Sequence, residues 1–168
     1  MAQINQKWNK LFELIYEYPN QKFTARGISK KTKIPTSSVQ RYLKELRAQG
    51  FITKENRAIM NPYFKFRKAF FILDKMFKIG LVDYIDRAYS PSAVIVFGSV
   101  RKGEYDSSSD VDIFVESTKD QKIDLSEFEK KIGHEIQIFV KKDINDLPPK
   151  LFNNVLNGIK LGGYFKLK

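Results

Sequence analysis

One stretch of the sequence, residues 93–116 (AVIVFGSVRKGEYDSSSDVDIFVE), limits the fold more than any other. An apolar run at 93–97 ends in Gly98-Ser99, and ten residues later Asp110 and Asp112 are set in a second apolar run, 111–115. Short apolar runs bounded by turn residues read as buried strands. On a strand, residues i and i+2 share a face. Asp110 and Asp112 therefore project together, while Val111, Ile113 and Val115 face the other way. Two adjacent carboxylates repel each other, and a divalent cation between them relieves that repulsion. Gly98 lets the backbone approach a ligand closely, and Ser99 adds an N–H and a hydroxyl at the start of an expected helix, a common way to hold phosphate.

Charge divides the chain. Residues 1–65 carry nine Lys, four Arg, four Glu and no Asp, a net +9 of the total +11. That imbalance points to a polyanion as partner of the N-terminal part, or to a Lys-rich solubilising surface. At 168 residues the chain is one ordinary domain or two small ones. It has no cysteine, which excludes disulfides and thiolate zinc sites. No apolar run reaches the length of a membrane span, and the N-terminus lacks a signal-peptide core. A soluble cytoplasmic protein is expected.

Ile4, Trp8, Leu11, Ile15 and Tyr18 lie at helical spacing and predict a helix ending before Pro19. Thr24 is placed to cap a second helix that turns Ile28 inward. After a Lys33-Ile34-Pro35 turn, Ser37 with Gln40 forms a capping-box pattern. It opens a third helix with Val39, Leu43 and Leu46 inward, and Gly50 ends it. Residues 51–54 and 58–60, joined by Glu55-Asn56-Arg57, read as a hairpin. Three helices and a hairpin make a winged helix-turn-helix, and FTARGISKKTKIPTSSVQRYLKELRAQGFI resembles the winged-helix regions of many prokaryotic regulators. Lys33 stands where many of those have Gly.

In such folds the third helix enters the major groove. The resemblance thus implies DNA contact by Thr36, Ser37, Ser38, Gln40, Arg41 and Lys44, with Lys54 and Arg57 on the wing. The same fold also packs against protein in many cases, and that alternative stands. Beyond Asn61-Pro62, Tyr63, Phe66, Phe70, Leu73 and Phe77 recur at helical spacing among Lys65, Arg67 and Lys68. This stripe is read as the core side of a helix docking on the next domain; stacking on single-stranded bases is the other reading. Any homodimer interface is expected on the same stripe. A further helix runs to Ser90-Pro91.

Strand, Gly-Ser turn, short helix and a strand bearing Asp-x-Asp closely resemble the DNA polymerase β-like nucleotidyltransferases, nearest to the minimal nucleotidyltransferase domain. Gly98, Ser99, Asp110 and Asp112 meet the pattern. Gly103-Glu104 match its Gly-Glu, with Lys102 for the usual Arg, and Ser109 precedes the first Asp. The resemblance implies transfer of a nucleoside monophosphate, AMP from ATP or from another NTP. Asp110 and Asp112 would ligate Mg²⁺ or Mn²⁺, and Gly98, Ser99, Lys102 and Ser109 would bind nucleotide. Acceptors among such proteins include a protein hydroxyl, as on a HEPN-type toxin partner, small molecules and RNA ends, and the small size of this chain favours a macromolecular one; the alternative is a DNA-binding regulator or antitoxin that binds nucleotide without turnover.

A third carboxylate is expected on the strand EIQIFV. Family register puts it at Gln137, which cannot act as a base. Either Glu135, two residues away on the same face, takes the role, or the site lacks a full second-metal centre. His134 is read as a surface residue. At the C-terminus, Leu151, Val155, Leu156 and Ile159 are helically spaced, Gly162-Gly163 read as a turn, and Tyr164-Phe165 as closing the core.

The expected fold class is α+β. A winged helix at 1–61 is followed by connecting helices at 62–90 that pack on the catalytic domain. A small mixed-sheet nucleotidyltransferase domain with flanking helices occupies 91–168.

Overall fold

The computed structural model describes residues 2–167, the side chains of 2–5 excepted, so Ile4 of the first stripe lies outside the described residues. The chain forms two compact units, Met1–Lys65 and Phe66–Lys168. The architecture is α+β, and among the described residues no helix is long and apolar enough to cross a membrane.

The first unit holds α1 (Ala2–Glu17), α2 (Ala25–Thr32) and α3 (Thr36–Ala48). Leu11 and Ile15 of α1 are buried, as is Tyr16. Tyr18, expected inside, is exposed, with the Lys31 ammonium 4.6 Å from its ring centre. Thr24 caps α2 as its position suggests, its hydroxyl accepting from the Gly27 N–H at 3.0 Å. The capping box at Ser37 does not form. Helix α3 starts two residues earlier than a Ser37 cap would set it, Pro35 is its N-cap, and the Pro35 carbonyl accepts the Val39 N–H at 3.0 Å. Proline has no side-chain acceptor, so this helix start carries no side-chain cap. Val39, Tyr42, Leu43 and Leu46 form the buried stripe.

The expected hairpin is reduced to one bridge, Ile52 to Ala58. Asn56, at φ 60°, turns the chain between them. Its side chain donates to the Phe23 carbonyl and accepts from Arg47, so the wing is tied to the helices rather than to a long strand partner.

Helix α4 (Pro62–Lys78) begins in the first unit and runs into the second. Its buried residues are Phe64, Lys68, Ala69, Ile72 and Met76. The expected core stripe is largely on the outside: Tyr63, Phe66, Phe70 and Phe77 are all at least half exposed. Of the helix's two stripes the more aromatic one faces outward, and the other buries Lys68, whose ammonium donates to the Tyr105 carbonyl and lies 4.4 Å from the Tyr105 ring centre.

The second unit continues with α5 (Leu81–Tyr89), β1 (Ala93–Val96), α6 (Gly98–Lys102), β2 (Val111–Glu116), α7 (Ser126–Ile132), β3 (Ile136–Lys141), α8 (Pro149–Leu156) and β4 (Ile159–Gly163), with a 3-10 turn at Ile144–Asp146. The sheet order is β3-β2-β1-β4. Strand β1 is antiparallel to both β2 and β4, and β2 is parallel to β3.

Strand β4 replaces the expected extension of the last helix. Ile159 pairs with Val96, Gly162 and Gly163 lie in the strand, and Leu156 and Tyr164 are exposed. A Cβ on Gly163 would fall 1.8 Å from the Ser92 carbonyl oxygen, so only glycine lets β4 lie this close to the start of β1. One sheet face carries Ile95, Phe97, Phe114 and Phe139 into a core completed by Ile144, Leu147, Leu151, Phe152, Val155 and Phe165.

Candidate functional site

The register of the sheet builds the site. Val96 pairs with Ile113, and the Phe97 N–H donates to the Asp112 carbonyl at 3.0 Å. The chain thus leaves β1 beside Asp112, and Gly98 follows at once. Gly98 has φ +69°, and a Cβ there would lie 2.1 Å from Asp112 Oδ2. The two halves of the sequence pattern, ten residues apart, meet at this contact. Helix α6 begins at Gly98 and closes at Gly103, whose N–H reaches the Ser99 and Val100 carbonyls.

Asp110 and Asp112 share the sheet face that carries Phe114 and, across the pairing, Gln137 and Phe139. Asp112 therefore sits at the open end of an apolar core. Burial pushes its carboxyl above the usual carboxylate range, and the charge of Asp110 pushes it further. Gln137 is the register partner of Asp112, and its amide donates to Asp110 Oδ2 at 2.5 Å.

Glu135 is exposed just before β3, and its carbonyl accepts the Val111 N–H at 2.9 Å. With Asp110, Ser107, Ser108, Ser109 and His134 it lines an open cavity of about 590 Å³. Among the described residues no three acidic or histidine side chains gather in a way that could hold a metal. A cation here would rest on two carboxylates and on oxygens of the substrate. That donor set suits Mg²⁺, which is commonly held by one or two carboxylates plus phosphate.

Other predicted positions divide. Ser99 is half-buried in the first turn of α6, and Lys102 is exposed in its last turn. The Ser109 hydroxyl is engaged inside its own loop, accepting from the Asp106 N–H at 2.9 Å. Asp106 in turn accepts from Ser108, whose hydrogen bonds hold its carboxyl below the ordinary range. Ser109 thus helps to shape the turn that delivers Asp110.

His134, expected on the surface, is buried. Its Nδ1 lies 2.7 Å from the Ser109 carbonyl oxygen, and its ring meets Tyr105 edge-on. The peptide just before Asp110 is therefore held from the side by His134. The adjacency of His134 to the candidate strand hinted at this, but the contact depends on parallel pairing that no local pattern reveals.

On α3, Ser37, Gln40, Arg41 and Lys44 are exposed at i, i+3, i+4 and i+7, one face opposite the buried stripe. Thr36 and Ser38 are only partly exposed. Arg41 lies 4.0 Å from Glu45. Lys54 and Arg57 are exposed on the wing turn, and Arg57 donates to the Asn20 carbonyl at 2.9 Å.

Two family models match the chain. Residues 79–160 match the nucleotidyltransferase domain, and residues 18–71 match the sugar-specific transcriptional regulator TrmB. No curated protein and no solved structure matched it.

Proposed function

The chain joins a nucleotidyltransferase domain to a preceding winged-helix regulator domain, and from that premise we propose that it moves AMP from ATP to a hydroxyl of a macromolecular acceptor. The observation that carries this reading is the contact of Gly98 with Asp112, beside a second carboxylate on the same face. A bound Mg²⁺, held by Asp110 and Asp112, would supply neutralisation of triphosphate charge.

The protein's own groups do the rest. Gly98 leaves room for the Asp112 carboxylate to lie against the turn that opens α6. The N–H groups and hydroxyl at the start of α6 face anionic oxygens, and Lys102 adds a positive charge at the end of that helix. Gln137 and His134 hold Asp110 and its peptide in place. In the reaction the acceptor oxygen bonds to the α-phosphorus, the bond to pyrophosphate breaks, and the acceptor proton passes to solvent or to a nearby carboxylate. Positioning and charge stabilisation carry most of the rate in such transfers. The resemblance to minimal nucleotidyltransferases favours a HEPN-type partner protein as acceptor.

Gln137 supports a second reading, a DNA-binding regulator or antitoxin that holds nucleotide without turnover. An amide beside Asp110 can neither ligate a second cation strongly nor take a proton. ATP labelled on the α-phosphorus, incubated with Mg²⁺ or Mn²⁺ and candidate acceptors, separates the two. Transfer that the double substitution Asp110→Asn/Asp112→Asn abolishes supports the enzyme. Nucleotide binding with no transfer to any acceptor supports the regulator.

A further inference from the structure

The loop that delivers Asp110 carries three serines in a row, and their hydroxyls have different fates. The Asp106 carbonyl accepts the Ser109 N–H at 3.0 Å, which closes a turn with Ser107 and Ser108 at its corners. The Ser108 hydroxyl donates to Asp106 Oδ1 at 2.7 Å, and the Ser109 hydroxyl accepts from the Asp106 N–H at 2.9 Å. Ser107 is exposed, and among the described residues its hydroxyl has no hydrogen-bond partner.

The place of Ser107 matters as much as its freedom. With Asp110 and Glu135 it lines the open cavity of about 590 Å³, a volume in the range of small-molecule sites. Among the described residues Gly98, Ser99 and Lys102 do not line that cavity. It therefore opens beside Asp110 but away from the turn that would hold the triphosphate, on the side left for an acceptor. The chain from Ser107 to Asp110 spans at most about 11 Å, and the turn shortens it. No threonine or tyrosine lines the cavity, so Ser107 carries its one uncommitted hydroxyl.

On the basis of the nucleotidyl transfer put forward above, we propose that the chain adenylylates itself at Ser107. The Ser107 Oγ bonds to the α-phosphorus of ATP. The bond from that phosphorus to the bridging oxygen of pyrophosphate breaks, and pyrophosphate leaves with the bonding electron pair. The Oγ–H proton passes to the Glu135 carboxylate or to solvent. A serine hydroxyl is a weak nucleophile, but an acceptor held in the same chain acts at an effective concentration that dissolved acceptors do not reach. The other two hydroxyls are tied into the turn, so one adenylyl group per chain is expected.

Incubation of the full chain with ATP and Mg²⁺, without added acceptor, tests this by intact-mass and peptide mass spectrometry. The expected result is one adenylyl group per chain, on Ser107, formed at a rate independent of chain concentration and abolished by Asp110→Asn/Asp112→Asn. Ser107→Ala lowers the label by at least about tenfold, Ser107→Thr retains it, and Ser108→Ala stays within about threefold of the original. Calorimetry finds ATP binding by Ser107→Ala within about threefold of the original, so the lost label reports a lost acceptor and not lost nucleotide. Label that survives Ser107→Ala, a rate that rises with chain concentration, or free AMP released while the chain stays unlabelled overturns the proposal. The last of these leaves nucleotidyl transfer standing, with water as acceptor. ATP bound with neither label nor AMP formed overturns this inference and the transferase reading together.

Discussion

Asp112 shows how a site can oppose the stability of the fold that carries it. Its carboxyl is raised above the ordinary value by burial, then by Asp110. The native chain therefore holds this proton more tightly than the unfolded chain does. The stabilisation from that proton is complete below the ordinary aspartate value of about 3.9. It is lost as pH rises through the raised folded value. At neutral pH, without metal, the ionised group is half-buried beside the charge of Asp110, and Asp112→Asn is expected to stabilise the second unit. Amide hydrogen exchange of the β2 residues measures it, with the gain vanishing as pH falls below about 4. Addition of Mg²⁺ and ATP is expected to protect the original chain and not the variant. Gly98, Asp110 and Asp112 were legible because turn, spacing and strand alternation are local properties. The Gln137 and His134 contacts were not, since both bring β3 or its entry to β2 across about 25 residues of chain, and a lone polar side chain carries no sign of its partner.

At the scale of elements, the helices of the first unit followed their apolar period, and their ends followed backbone chemistry. Pro35 starts α3 in place of the Ser37 box. Lys33 ends α2 in the left-handed region at φ 61°, with its N–H on the Ser29 carbonyl at 2.9 Å. A residue with a Cβ pays about 1–2 kcal/mol for that conformation, and glycine's own entropy cost offsets part of the relief. Lys33→Gly is thus expected to stabilise the unit by about 0.5–1 kcal/mol. Urea denaturation followed by Trp8, the only tryptophan and a member of this unit, reads it directly. Helix α4 was misread because periodicity ranks stripes by apolar content. A buried lysine capped by a carbonyl is invisible to that ranking, and so is an aromatic face left outside. Strand β4 was misread because its two glycines and one lysine look like a turn. Only its pairing with β1 makes it a strand.

For the whole molecule, the net +9 of residues 1–65 coincides with the unit bearing the exposed face of α3 and the wing. Contact with DNA through that face releases counterions, so affinity is expected to fall steeply with salt. Arg41→Ala is expected to weaken duplex binding, and the salt slope to drop by about one if Arg41 meets phosphate. Fluorescence anisotropy with labelled duplex at several salt concentrations checks both. Binding that ignores salt would assign this unit to a protein partner instead.

For the other unit, we propose that residues 98–112 form a cradle for a triphosphate and a divalent cation. Calorimetric titration of the full chain with ATP, with and without Mg²⁺, tests it without any knowledge of the acceptor. ATP binding is expected to require Mg²⁺ and to weaken by about tenfold or more in both Gly98→Ala and Asp112→Asn. Gly98→Ala acts because a methyl group there meets Asp112 Oδ2. Absence of binding in the original chain, or binding that neither substitution alters, would contradict it.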